Sequence, residues 1–298
     1  MKEMKFKSYE TLDFTDDFLF SKILSTDLDL TKELLEIILN KEIREVRLAE
    51  AEKAMKLTPL ARGVRLDVYV KDEDNVVYDV EMQTTSPKDL GKRARYYQGI
   101  IDLNMIEAGM RFSDLDRSFV IFILKHAPNG IPKNLPVYTF RSRCDEDPEV
   151  VLNDDAVKVF VNAEGPLDGL SDGLKHFLQF IRDENPRDEF TEKLDGRVKR
   201  AREFKDWREE YMTLGMKYQE YFESGKEAGF ESGYESGQKD GVEIGQKAGF
   251  KNGSEAMQIV IINSALDSGM APSEIEEKLK IPKAVIDEVL EARKKQKA

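Results

Sequence analysis

The chain has 298 residues, and its 46 Lys and Arg against 58 Asp and Glu give a formal net charge of -12. That length fits two domains, or one domain with appendages. The charge excludes a generic nucleic-acid coat, since phosphate binding is driven by Lys and Arg releasing counterions, yet leaves room for phosphate contact through a metal ion and a local basic strip. The single cysteine, Cys144, rules out an internal disulfide and a cysteine zinc site. His126 and His176, the only two histidines, leave little for Ser-His-Asp or His-rich metal schemes. MKEMKFKSYETLDF at the N-terminus lacks the apolar core of a signal peptide. The longest apolar run, Phe119–Leu124, is too short to cross a bilayer. A soluble, cytoplasmic protein with no membrane partner is expected, and any metal it uses must be held mainly by oxygen.

In chain order, apolar residues at three- and four-residue steps from Phe18 to Leu39 predict one helix over 17–39, capped by Asp16 or Thr15. From Val64 the period changes to two. Val64, Leu66, Val68 and Val70 alternate with Arg65, Asp67, Tyr69 and Lys71, as in a strand with one buried face. A polar turn at 72–75 leads to a second alternating strand with Val76, Tyr78, Val80 and Met82 on one face. Pro87 and Asp89 open a helix over 89–108 that Gly109 ends, and 118–124 is a continuous apolar strand of the buried kind. Short strands at 137–140 and 157–161 follow among Pro128, Pro132, Pro136 and Pro148, then a helix at 171–182 before Pro186. Composition shifts near 187 to charged helix. Glycines then recur every four residues from Gly225 to Gly253, and 254–298 form a compact helical tail with a break at Gly269.

The informative segment is 64–83. Placing the apolar residues of the hairpin on one face fixes its register: Leu66 faces Met82, Val68 faces Val80 and Val70 faces Tyr78, around a loop at 73–75. Asp67 then lies opposite Glu81 on the other face, with Arg65 opposite Gln83 and Tyr69 opposite Asp79. Directly opposed residues have Cβ atoms roughly 4.5–5.5 Å apart, so the two carboxylates repel unless a cation sits between them. A divalent cation with oxygen ligands turns that penalty into a site. The plain alternative is a solvent-facing hairpin with incidental acids, against which stands the depletion of Asp and Glu in strands.

The order of helix, strand with Asp, turn, strand with E-x-Q, and helix resembles the PD-(D/E)XK nuclease superfamily, most closely its transposase-like, recombination-promoting branch. The matching residues are D-x-x-F at Asp17–Phe20, L-D-V at Leu66–Val68, E-M-Q at Glu81–Gln83, R-x-x-Y-Y at Arg93–Tyr97 with Tyr96 beside it, G-x-x-F-x-x-L at Gly109–Leu115, and FVIFIL. W-R-E-E-Y-M at Trp207–Met212 and the glycine run also resemble that branch. The resemblance spans about residues 13–255 and implies an α/β fold with a restriction-endonuclease-like αβββαβ core that cuts DNA. It further implies Mg²⁺ or Mn²⁺ held by Asp67, Glu81 and the Met82 carbonyl. Gln83 stands where the superfamily usually has Lys; an amide orients the attacking water but carries no charge to lower its pKa. The metal then supplies most of the activation, with Lys92 or Arg93 stabilising charge on the phosphate. Asp17 is the expected acid of the first helix, although Glu33 and Glu36 also lie on it.

Arg93 and Tyr97 share a helix face and either grip a phosphate or pack the helix onto the sheet. Eight glycines in a helix cost on the order of 8 kcal/mol relative to alanine, and the stripe drifts by about 40° per step. Self-association into a homo-oligomer, or a flexible linker, accounts for them; the intervening charges exclude a membrane helix. The tail is either a DNA-reading helix–turn–helix or a dimerisation element. Three segments are expected: 1–186 as the nuclease-like domain, 187–253 as a long charged helix, and 254–298 as a small helical domain. The rival to a metal-dependent endonuclease is a catalytically weak nucleic-acid-binding or scaffold protein on the same fold.

Overall fold

The computed structural model describes residues 7–55, 64–86, 88–127 and 135–297. Pro87, Pro128, Pro132 and the first six residues of the N-terminal segment lie outside the described residues. The chain divides into two compact units, Met1–Met216 and Lys217–Ala298.

The first unit opens with α1 (Asp17–Thr26) and α2 (Leu28–Leu39). These replace the single helix expected over 17–39. Asp27 separates them: its side chain accepts the Leu30 amide as the N-cap of α2, and the Thr31 hydroxyl bonds back to the Leu24 carbonyl at 2.6 Å. An Asp in that position offers the backbone a better partner than a continued helix does. Three strands follow, β1 (Val46–Met55), β2 (Val64–Asp72) and β3 (Val77–Gln83). Then come α3 (Leu90–Met105), β4 (Ser118–Leu124), β5 (Val137–Phe140), β6 (Ala156–Asn162), α4 (Asp172–Asp183), α5 (Glu189–Ala201) and α6 (Lys205–Asp267).

The strands form one mixed six-stranded sheet in the order β1-β2-β3-β4-β6-β5. β2 and β3 are antiparallel, while β3, β4 and β6 run parallel. The β2–β3 ladder pairs Val68 with Val80, Tyr69 with Asp79 and Val70 with Tyr78, the register that alternation predicts. Asn75, with φ of 62°, supplies the left-handed residue that closes the loop. Beyond Val68–Val80 the two strands part, so Leu66 and Met82, or Arg65 and Gln83, are not ladder partners.

Helices cover both faces. α1, α2, α4 and α5 bury Phe18, Leu34, Phe177 and Leu194 against Val68, Val70, Val80 and Ile121. On the opposite face α3 lays Leu90, Ala94, Tyr97 and Ile101 over Val64, Leu66, Val120 and Phe122. β2 is therefore not one-faced: Val64 and Leu66 belong to the α3 side, Val68 and Val70 to the other. The switch falls where Glu52, at φ 52°, and Asp67 lie between the pairs Ala51–Val68 and Lys53–Leu66. A positive φ in a non-glycine residue kinks β1 at this point. α5 buries Phe190, Leu194 and Val198 in the first core, so this unit continues past residue 186.

In the second unit α6 runs past Gly253 to Asp267, with α7 (Pro272–Leu279) and α8 (Lys283–Lys297) after it. Ile262, Ile275, Ile281 and Ile286 form its small core, and Gly269, at φ 87°, makes the break expected there. A Cβ added at any ladder glycine from Gly225 to Gly253 meets nothing within 4 Å. Among the described residues no helix is long and apolar enough to cross a membrane.

Candidate active site

Where β2 and β3 part, two carboxylates take over the hydrogen bonds that the ladder gives up. The Asp67 amide donates to Glu81 Oε1 at 2.9 Å, and the Met82 amide donates to Asp67 Oδ2 at 3.1 Å. Each acid thus caps a backbone amide of the opposite strand. Asp67 lines a cleft of about 320 Å³ together with Thr15, Asp17, Met82, Gln83 and Thr84, while Glu81 lies behind its wall.

Glu81 is nearly sealed, at 1% exposure. Its counter-ion is Arg93 on α3, whose Nη2 lies 3.1 Å from Glu81 Oε2. The same Nη2 donates to the Tyr97 hydroxyl at 3.0 Å, and Nη1 donates to Gln83 Oε1 at 2.8 Å. Gln83 Nε2 in turn donates to the Met82 carbonyl at 2.8 Å. The guanidinium rests 5.3 Å from the centre of the Tyr97 ring and 5.4 Å from that of Phe122. Tyr97 is itself buried and packs on Phe122. Tyr97 thus packs onto the sheet and accepts from Arg93, and Arg93 reaches Glu81.

The electrostatics follow from burial. Burial pushes the Asp67 carboxyl above its usual range, aided by the charge of Asp17 and opposed by the Met82 amide and by Arg65 and Arg93. Glu81 is pushed up by burial and by the Asp67 charge, against the Asp67 amide and Arg93. Sequence reasoning missed the third acid of the cluster. Asp79, two residues before Glu81 on β3, is 0% exposed; the Glu81 carboxyl is its side-chain hydrogen-bond partner, and among the described residues no amide, hydroxyl or basic group donates to either of its oxygens. Burial first, then the charges of Glu81 and Asp67, raise its pKa well above the ordinary carboxylate value. Its place on the acid face is readable from the register; its burial comes from α3, which alternation does not report.

Asp17, at the first position of α1, stays 70% exposed on the cleft wall and lies 3.9 Å from Arg65. Glu33 and Glu36 are on α2 instead, bonded to Lys193 and to the Ile43 amide. Lys92 is exposed on α3 and, among the described residues, is not drawn into the Arg93 network. Lys125, just after β4, donates to the Thr15 hydroxyl at 3.3 Å and is a cation near the cleft rim that the sequence reading did not single out.

Among the described residues no three His, Cys, Asp or Glu side chains form a ready cage for a metal. The buried Glu81 carboxylate, the half-buried Asp67 carboxylate and the Met82 carbonyl are nevertheless hard oxygen donors of the type a small divalent cation takes. A cluster of three neighbouring acids with raised pKa values also gains from added positive charge. The residues present fit such an ion. No curated protein and no solved structure matches the chain. Residues 14–143, which include the cleft residues and the whole Arg93 network, match the model of the PD-(D/E)XK nuclease family transposases, so that span of the chain is similar to this family.

Proposed function

We propose that this chain is a cytoplasmic, Mg²⁺- or Mn²⁺-dependent DNA endonuclease of the recombination-promoting type, built on a restriction-endonuclease-like αβββαβ core. The observation that carries the reading is the pairing of Asp67, which lines the cleft, with the buried Glu81 at the end of the β2–β3 ladder, beside a further acid, Asp17, on the cleft wall. Asp67, Glu81 and the Met82 carbonyl are the groups that would hold the ion. Its chemistry, once bound, is Lewis-acid polarisation of the phosphate and a more acidic bound water. Gln83 would orient the attacking water through its amide. Arg93, and Lys92 from the exposed side of α3, would balance charge on the scissile phosphate, and Tyr97 would aim Arg93. The glycine ladder of α6 serves, in this reading, as an arm for self-association.

The test is plasmid cleavage with Mg²⁺ or Mn²⁺, comparing the wild type with Asp67→Asn and Glu81→Gln. These variants retain an oxygen for the Met82 and Asp67 amides while removing the charge. Cutting should fall to background in both, with the circular dichroism spectrum unchanged. Cutting at the wild-type rate by both would refute the assignment. The rival, a protein that binds DNA without turnover, draws support from the neutral Gln83 and predicts DNA retention with no metal-dependent nicking in the wild type.

A further inference from the structure

We propose that Arg93 is an internal stand-in for the divalent cation: it neutralises Glu81 in the metal-free protein and competes with the ion for that carboxylate. This inference rests on the metal-site reading above. Glu81 has almost no access to solvent and neighbours two other acids, so its charge needs a partner close at hand. That partner is the Arg93 guanidinium at 3.1 Å. An ion bound by Asp67, Glu81 and the Met82 carbonyl would meet this guanidinium as a like charge sharing one oxygen.

The second observation is that one chain of bonds ties down two of the three candidate ligand groups. Arg93 Nη1 holds Gln83 Oε1 at 2.8 Å, which fixes the amide so that Nε2 covers the Met82 carbonyl at 2.8 Å. Loss of the Arg93 contact frees Glu81 Oε2 directly and the Met82 carbonyl through Gln83. Arg93 has somewhere to go, because 31% of its side chain is already exposed. Its guanidinium rests against the Tyr97 and Phe122 rings and donates to the Tyr97 hydroxyl. A released guanidinium is the group best shaped to receive a DNA phosphate oxygen pair. Metal entry and phosphate capture are thus coupled through one side chain.

The test is binding of Mn²⁺, without DNA, to the full chain by calorimetry and by electron paramagnetic resonance of the free ion. Asp67→Asn marks the site. Arg93→Met should bind Mn²⁺ roughly ten-fold or more tightly than the wild type, because a competing positive charge has gone. Arg93→Lys, which keeps the charge but loses the fork, should fall between them, and it carries the test if Arg93→Met fails to fold. In thermal unfolding Arg93→Met should be less stable than wild type in EDTA and should gain more from Mn²⁺. Equal or weaker Mn²⁺ binding by the Arg93 variants, with Asp67→Asn weakened as expected, would overturn the competition and leave the nuclease reading standing. Mn²⁺ binding by the wild type that Asp67→Asn does not weaken, or no binding at all, would overturn both.

Discussion

Replacing Asp79 by Asn should make the protein more stable, and the gain should grow with pH. The carboxyl is fully buried, paired with the Glu81 carboxyl, and among the described residues receives no hydrogen bond from an amide, hydroxyl or basic group. Burial and then the charges of Glu81 and Asp67 hold its pKa well above 3.8. The unfolded chain releases this proton near the ordinary value, whereas the folded chain keeps it, so folding takes up one proton. Stability must then fall as pH rises between the two pKa values, by about 1.4 kcal/mol per pH unit. Asn has nearly the same shape and no proton to exchange, and its own unsatisfied amide contributes a constant offset. Urea unfolding in EDTA at several pH values in that interval, followed through Trp207, which packs against the main core, measures the difference. Curves for wild type and Asp79→Asn that stay parallel across the interval would refute the reasoning.

Two further predictions test other parts of the chain. Asp13 behaves in the opposite sense to Asp79: although burial raises its pKa, the Lys7 ammonium, with the Thr15 hydroxyl and amide, more than reverses this and holds it at about 2. Its contribution, about 2 kcal/mol, is present above the unfolded value of 3.8 and is lost as pH falls through about 2. Asp13→Asn should therefore flatten the acid limb of the stability curve, and an unaltered limb would count against the Lys7 contact. In α6, Leu at Gly233, Gly237 and Gly241 meets open space and raises intrinsic helix propensity by up to about 1 kcal/mol per site. If the ladder packs against a second copy of the chain, this triple variant should show a lower mass by light scattering than the wild type. An unchanged oligomeric mass, with helix content retained, refutes close packing through the ladder.

The hairpin was legible because three signals agree there: period-two alternation on both sides, a polar loop with Asn at its left-handed position, and the requirement that apolar residues share a face. The ladder from Lys71–Val77 to Val68–Val80 follows that logic residue by residue. β1 was not legible, since Val46–Met55 carries Arg47, Glu50, Ala51, Glu52 and Lys53, residue types that strands disfavour. As an edge strand it tolerates them because one side faces no neighbour. The break at Asp27 was hidden because apolar steps of three and four residues continue across it; only the cap interaction with Leu30 ends one helix and begins the next. α5 reads as part of the charged extension because charged residues of both signs make up about half of it, yet its buried stripe of Phe190, Leu194 and Val198 places it in the first unit.

The one-faced strand failed for a reason that also explains where the acids sit. With helices on both sides, the middle of the sheet has no solvent face, so a carboxylate on β2 or β3 must find donors inside the protein or lie at a point where the ladder opens. Asp67 and Glu81 do both. The kink opposite Asp67 turns Val64 and Leu66 toward α3, the β2–β3 pairing stops, and the amides of Asp67 and Met82 lose their carbonyl partners. The two carboxylates supply the missing acceptors. Acid pair and strand separation are therefore one structural event: without the acids two buried amides would go unpaired, each at a cost of about 1–3 kcal/mol. Asp79 marks the contrast, because it lies inside the intact ladder, where the amides are already paired and no donor remains for it. For the same reason alanine substitutions at Asp67 or Glu81 would mix lost charge with lost backbone pairing, and the Asn and Gln variants are the ones that isolate the chemistry.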